Sequence, residues 1–352
     1  MTPEEWPIAA DAADPNPTAR AAGGDRLSTV LADFFLDPAQ RLTEQERALM
    51  TSMLHCLVGD IADELRARLP VGWGPANDES NSALVADLTA ARLLDEPPLI
   101  ALLLRRADEE RIGAGARARS GRREARALQG LVSHENGAVS AGAMALILAR
   151  GRRRDRFGQC LIAFDDLPAG PAEKLVTAIA AALRRQLGSG HGAGTTDDAL
   201  GAAIGQLLAR RDPARAVDVQ SAALAQLLDE NGSLDDDLVL AAANDGEIGF
   251  VAQAFARRAG IGGGPVLDEL LSGDPRRVMA VLRASGASRE LAAGMLAGIG
   301  DLLGIGDAGQ AIDQFDRITD EEVGAVRARL ATPSGYRSAL LSLDRVHGQR
   351  TL

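Results

Sequence analysis

The stretch TEQERALMTSMLHCLVGDIADELRARLP, residues 43–70, carries apolar side chains at steps of three and four. These positions are Met50, Leu54, Leu57, Val58, Ile61 and Leu65. Because an α-helix turns once every 3.6 residues, they fall on one face. Thr43 and Glu46 have the spacing of a capping box, which starts a helix, and Pro70 ends it. The stretch therefore predicts a long helix with one buried face.

His55 and Cys56 are the two reactive side chains of this stretch. The residue four positions after His55 is Gly59, so no metal-ligand spacing is present. Cys56 lies beside the apolar face, where a thiol is an ordinary small filler. Both residues are expected to be structural or exposed rather than functional.

The rest of the chain repeats this helical pattern. Helical segments of about 10–18 residues alternate with turns of about 2–6, and a pair recurs about every 35–45 residues, as in HEAT-like arrays. No segment alternates convincingly with a period of two, the pattern of a half-buried strand. The sequence therefore predicts an all-α fold, an irregular HEAT-like array of helical hairpins (an α-α superhelix), with no β-sheet.

Composition agrees with a folded chain that buries a large core. The chain has 352 residues, 46% of them hydrophobic, and a net charge of -11.

Residues 1–25 are rich in Pro, Ala, Asp and Gly and predict a disordered lead-in. Residues 26–304 are expected to form the helical array. Residues 305–352 are expected to form C-terminal helices that could continue it.

A cytoplasmic location is expected from the start of the chain and the cysteines. The first residues, MTPEEWPIAA, carry acids where a secretory signal would carry positive charge. Cys56 and Cys160 are too few for a disulfide framework and have no C-x-x-C spacing. The longest apolar runs, PPLIALLL and AMALILA, are far too short to span a membrane.

Several segments resemble a known family. They are LTEQERALMTSMLHCLVGDIADELRARL, FDDLPAGPAEKLVTAIAAALRRQL, GEIGFVAQAFARRAGIGGGPVLDELL and SGASRELAAGMLAGI. Together they resemble the domain of unknown function 2336 family, found largely in alphaproteobacteria, over roughly residues 26–300. The resemblance implies an all-helical, HEAT-like fold and a bacterial cytoplasmic protein. It implies no catalytic residue, and the shared motifs are helix-packing patterns.

Three motifs suggest ligand sites but lack a required residue. In DENGSLDDD, residues 229–237, a calcium loop would need Gly at Leu234 and an acid at Leu240. Ser233 is instead expected to cap the following helix, with Asp236 three places on. The stretches GIGGGP (260–265) and GIGDLLGIGD (298–307) have no Gly-Lys-Ser/Thr and follow helices, so they predict helix ends. We therefore expect no cofactor, metal or catalytic residue.

Charge is distributed unevenly along the chain. Residues 105–156 carry a net charge of +7, so the remainder carries -18. Lys174 is the single lysine, so nearly every basic residue of the chain is an arginine. The presence of arginine is therefore weak evidence for a binding site. Two dense segments, GRREAR (121–126) and RGRRRDR (150–156), would meet at one edge of a helical hairpin. The ridge they could form consists of Arg122, Arg123, Arg126, Arg152, Arg153, Arg154 and Arg156.

Two binding functions remain open for these arginines, and so does a purely structural role. The favoured function is a non-enzymatic helical-repeat scaffold or adaptor that binds a protein partner. The alternative is binding of nucleic acid or another anionic ligand through the ridge, although residues 105–156 contain no Trp or Tyr for base stacking. The arginines could also form a solvated face that pairs with acids of the same chain. An enzyme site assembled from distant residues is not excluded by sequence.

Overall fold

The structure is a computed structural model that describes residues 42–70, 73, 81–121, 126–187, 193–333, 336, 337, 339 and 343. The chain divides into two compact units, residues 1–44 and 45–352. Nearly all described residues belong to the second unit. The predicted lead-in, residues 1–25, lies outside the described residues.

The described residues form an all-α fold, as predicted, and contain no β-strand; Arg154 and Cys160 form an isolated β-bridge. The α-helices are α1 (Glu44–Arg66), α2 (Asn81–Ala90), α3 (Pro97–Ser120), α4 (Ala127–Gly130), α5 (Gly137–Gly151), α6 (Ala169–Gln186), α7 (Ala193–Ala209), α8 (Val217–Glu230), α9 (Asp236–Asn244), α10 (Ile248–Ala259), α11 (Gly263–Leu270), α12 (Pro275–Ala284), α13 (Arg289–Ile299), α14 (Ala308–Arg317) and α15 (Asp320–Ala331). Short 3-10 turns span Leu131–Ser133, Phe164–Asp166 and Pro213–Arg215.

Helix α1 confirms the prediction made from its apolar spacing. Leu57, Val58, Ile61 and Leu65 are buried, and Met50 and Leu54 are half-buried against the same core. His55 points to solvent, and Cys56 is a half-buried free thiol. Burying each large apolar side chain contributes about 1.5–3 kcal/mol, so the buried face holds α1 in place.

The apolar residues form two separate cores. The first core gathers α1, α2, α6, α7 and the start of α3. The second core gathers the end of α3, α4, α5 and α8 to α15. Helix α3 contributes to both: Leu99, Leu103 and Ala107 lie in the first, and Ile112 and Ala116 in the second. One long helix therefore runs from core to core.

The length of α3 differs from the sequence prediction. The pattern predicted helical segments of about 10–18 residues, whereas α3 has 24 residues, continues to Ser120 and ends at Gly121. After residues 122–125, which the structure does not describe, the helical segment is only the short α4 and its 3-10 turn. The Ala- and Arg-rich sequence GAGARARS extends α3 because both residues are strong helix formers.

Glycine ends several helices as predicted, but the cap of α9 does not follow the prediction. Gly260 ends α10 with φ at 70°, and Gly262 precedes α11. The cap of α9 is Asp235, whose carboxylate accepts a hydrogen bond from the Leu238 amide at 2.8 Å. Ser233 instead accepts a hydrogen bond from the Asn231 side chain. A charged carboxylate two residues nearer the helix fills the position expected for Ser233.

The C-terminal helices pack on the second core. Ala311 and Phe315 of α14 and Leu330 of α15 are buried in it, and both helices contact α12. The buried Glu269 of α11 reinforces this packing through ion pairs with Arg277 and Arg329. Helix packing therefore continues without a break through residue 331. The HEAT-like arrangement of the helices stays a prediction.

Candidate functional site: a charged cleft between the cores

Charged side chains occupy the middle of α3, where it passes from the first core to the second. The sequence RRADEER, residues 105–111, provides them. Arg106 is only 3% exposed, and its guanidinium donates to Glu109 on the same helix and to Asp218 on α8 at 2.9 Å. A buried charge is tolerated only when it is paired, so α3 and α8 are held together by this contact.

A short turn after α5 supplies the second group of charges. We call residues 152–161 the arginine turn. The Leu161 amide donates to the Arg153 carbonyl at 2.7 Å, and the Asp155 amide donates to the Gln159 carbonyl at 3.0 Å. The Asp155 carboxylate also accepts from the Phe157 and Gln159 amides at 2.8 and 2.7 Å. These bonds fix the backbone of the turn.

The inward arginines pair with carboxylates of three other elements. Arg153 is 11% exposed and donates to Asp166 at 2.6 Å and to Asp218 at 3.3 Å. Arg154 donates to Glu110 of α3 at 2.6 Å. We call this layer of charge between the two cores the seam; it consists of Arg106, Glu109, Glu110, Arg153, Arg154, Asp166 and Asp218.

The other predicted ridge residues have different surroundings. Arg152 donates to the Arg215 carbonyl at 2.5 Å, and Arg156 lies over the Phe157 ring, 4.7 Å from its centre. Arg126 is exposed, and its backbone amide donates to the Asp245 carboxylate at 2.7 Å. Arg122 and Arg123 lie outside the described residues. Of the five predicted ridge residues that the structure describes, Arg153 and Arg154 face the seam. Arg156 lies with Phe157 at the tip of the turn.

Asp165 and Asp166 have a structural role that sequence reasoning missed. Asp166 is 1% exposed and accepts from the Val217 amide at 3.0 Å as well as from Arg153. Asp165 accepts from the Asp212 amide at 2.9 Å. Two acids before a helix are common in sequences, yet this pair fastens the arginine turn to the chain entering α8.

A cavity of about 700 Å³ opens at the seam. It is lined by α3, the end of α5, the arginine turn, the start of α8 and the turn before α10. Five arginines and five carboxylates face it: Arg106, Arg117, Arg150, Arg153, Arg154, Glu109, Glu110, Asp218, Asp245 and Glu247. Equal numbers of the two signs make the cavity wall neutral overall.

Burial and neighbouring charges set the protonation of these groups. Burial alone would lower the pKa of Arg106, but Glu109 and Asp218 raise it. Burial lowers the pKa of Arg150 to about 10, and the positive charges of three neighbouring arginines add to the effect. Arg150 therefore still carries its charge at neutral pH. Burial raises the pKa of the Cys160 thiol to about 11, which keeps it protonated and a poor nucleophile.

Acid is expected to weaken the seam through Asp218. Burial would raise its pKa, but the charges and hydrogen bonds of Arg106 and Arg153 lower it from 3.8 to about 2. A carboxylate whose folded-state pKa is lowered stabilises the fold above its unfolded pKa, and this stabilisation is lost as the pH falls through the folded pKa. Between about pH 4 and pH 2, the Tm of the wild type should therefore fall more steeply than that of Asp218→Asn. Parallel Tm curves would contradict this linkage.

Neither a metal site nor a membrane-spanning helix is found in the part of the chain that the structure describes. Within it, no three His, Cys, Asp or Glu side chains are grouped so that they could hold a metal ion. In the segment 229–237, which resembles a calcium loop in sequence, two carboxylates form ion pairs: Asp229 with Arg257, and Asp236 with Arg258. No described helix has the length and apolar character needed to cross a bilayer.

Comparisons with known proteins bear on the family rather than on a ligand. No curated protein and no solved structure matches the chain. A family model described as an uncharacterised protein conserved in bacteria (DUF2336) matches residues 116–328, more than half of the chain. The match begins near the end of α3, so α1 and α2 lie outside it, whereas the arginine turn and most of the cavity wall lie within it. The chain therefore belongs to the DUF2336 family of bacterial proteins.

Proposed function

We propose that the protein is a non-enzymatic cytoplasmic scaffold or adaptor that binds a protein partner through the tip of the arginine turn. The observation that carries the proposal is Phe157, which is 74% exposed on a turn whose backbone is fixed by hydrogen bonds. Arg156 lies over its ring. Aromatic residues and arginine are the types that most often anchor protein interfaces.

Folding alone does not account for the position of Phe157. Burying a phenylalanine would contribute about 1.5–3 kcal/mol, yet the turn holds this one in water. The Gly158 amide donates to the Asp155 carbonyl at 3.0 Å, and Gly158 has φ at 81°, a conformation that suits glycine. The tip is therefore ordered before any partner arrives, so binding costs little conformational entropy.

The helix that leads into the turn adds apolar surface of the same kind. Met144 and Leu148 lie one turn apart on the solvent face of α5 and are 43% and 61% exposed. The opposite face of α5 packs in the second core through Val139 and Leu146. A partner that contacts α5 and the turn could bury these side chains together with Phe157.

The pairing of the arginines supports nucleic-acid binding less well than it supports binding of a protein partner. Arg153 and Arg154 are paired with carboxylates of the same chain, which reduces the positive charge they present to a phosphate backbone. A nucleic-acid complex would also weaken steeply with added salt. If the exposed tip of the turn bound nucleic acid, Arg156→Glu would weaken that binding without breaking the seam.

The test compares two truncations of exposed apolar side chains in the full-length tagged protein. Phe157→Ala is expected to reduce capture of one stoichiometric protein partner from the bacterial host at least about tenfold, as for an interface anchor. Its Tm should stay that of the wild type, because the ring packs on no core. Leu93→Ala, which truncates a side chain 47% exposed outside the turn, is the matched control and should retain the partner. Equal capture by Phe157→Ala, or no specific partner for the wild type, would contradict the proposal.

A further inference from the structure

We propose that the cavity at the seam binds a small oxyanion, the carboxylate or phosphoryl group of a small molecule, between Arg117 and Arg150. This site is separate from the tip of the arginine turn and does not depend on the proposed scaffold role. A cavity of about 700 Å³ is within the size range of small-molecule sites.

The hydrogen bonds of the wall leave donors in excess. An arginine has five N–H donors, whereas the two oxygens of a carboxylate offer about four acceptor positions, so equal numbers of the two leave some N–H groups over. Arg117 bonds Glu110 through Nη2 alone, and Arg150 pairs with Glu247 through Nη2 alone. The Nε and Nη1 groups of both arginines have no partner among the described residues.

The carboxylates are already in use. Glu110 accepts from Arg154 as well as Arg117, and Glu247 pairs with Arg150. Asp245 accepts the backbone amides of residues 126 and 127, both at 2.7 Å. These contacts neutralise most of the negative charge of the wall; Oε1 of Glu109 is a buried acceptor that has no hydrogen-bond partner among the described residues.

A close backbone contact brings Arg117 and Arg150 to the same part of the cavity. Gly246 packs so tightly on α3 that a Cβ there would lie 2.6 Å from the Gly113 Cα. Arg117 follows Gly113 by one helical turn, and Glu247, the partner of Arg150, follows Gly246 directly. The two arginines therefore reach the cavity from either side of this contact.

Two further residues of the wall supply an independent observation. Ser221 lines the cavity from α8 and is only 2% exposed. Arg106 also lines the cavity, and its Nε group is buried without a hydrogen-bond partner among the described residues, so an acceptor is expected beside it. An oxyanion would accept from the Ser221 hydroxyl and from the free N–H groups. Because the wall is neutral overall, an anion of one or two charges fits better than a polyanion such as nucleic acid.

The test is calorimetric titration of the full-length protein with sodium phosphate and, separately, sodium succinate, in chloride buffer at constant ionic strength. We expect saturable binding of one probe, with a Kd of about 1 mM or tighter. Binding of phosphate alone would assign a phosphoryl group to the ligand, and binding of succinate alone a carboxylate. No saturable binding of either up to about 50 mM would overturn the proposal.

Variants locate the binding. Arg117→Gln and Arg150→Gln should each weaken it at least about tenfold, because each removes a charge-assisted hydrogen bond. Ser221→Ala should weaken it about threefold to tenfold with little effect on folding, which keeps the test valid if an arginine variant fails to fold. Arg257→Gln, which removes a surface ion pair with Asp229, is the control and should bind as the wild type does. Unchanged affinity in Arg117→Gln and Ser221→Ala would place the anion elsewhere and overturn the assignment.

Discussion

Arg106→Met is expected to lower the free energy of unfolding by about 3–5 kcal/mol, because it removes one partner from a buried ion-pair network. Arg106 is 3% exposed and is the main partner of Glu109. Without it, the remaining partner of Glu109 is Arg153, at 3.6 Å. The methionine fills similar space, so the loss measures charge left unpaired rather than a cavity. Urea denaturation gives the value directly.

The adjacent arginine provides the control for this prediction. Arg105 pairs with Asp268 at 2.8 Å, but the two side chains are 33% and 43% exposed. Arg105→Met should therefore cost about 1 kcal/mol or less, the usual value for an exposed ion pair. A similar loss in the two variants would show that burial of Arg106 does not determine its contribution.

Gly246→Ala is expected to destabilise the protein by about 2–5 kcal/mol through two additive effects. Gly246 has φ at 78°, which costs an alanine about 1–2 kcal/mol. The new Cβ would also lie 2.6 Å from the Gly113 Cα, so α3 and the turn before α10 must move apart. Since this contact helps form the cavity wall, Gly246→Ala should also weaken oxyanion binding.

Gly260→Ala separates the two effects. Gly260 has φ at 70°, close to that of Gly246, but a Cβ there meets no atom within 4 Å. This variant should show the conformational cost alone, about 1–2 kcal/mol by urea denaturation. Equal losses at the two positions would contradict the close approach of α3 to the turn.

Local features of the fold could be predicted from the sequence because each depends on a few neighbouring residues. The apolar spacing in residues 43–70 predicted the buried face of α1, and the glycine at 260 predicted a helix end. The predicted helix length was wrong for α3. Gly113 lies inside this helix, where the backbone at Gly246 packs on it.

The candidate site was only partly predictable. The density of arginine in residues 150–156 indicated a segment that lines the cavity, but the direction of each side chain depends on partners far away in the chain. Arg106 and Asp218 are separated by 112 residues, and neither has a sequence motif around it. Asp166 was missed for the same reason, because its burial results from Arg153 and the amide of Val217. Pairing of this kind is decided by packing and not by local pattern.

The most direct test of the seam is the coupling energy between Arg106 and Asp218, since this ion pair joins α3 to α8. A double-mutant cycle with Arg106→Met, Asp218→Asn and the double variant measures it by urea denaturation. We expect a coupling of about 1.5–3 kcal/mol, the value of a hydrogen bond between charged groups. A coupling below about 0.5 kcal/mol would mean that the two side chains act independently, and it would contradict the seam as described.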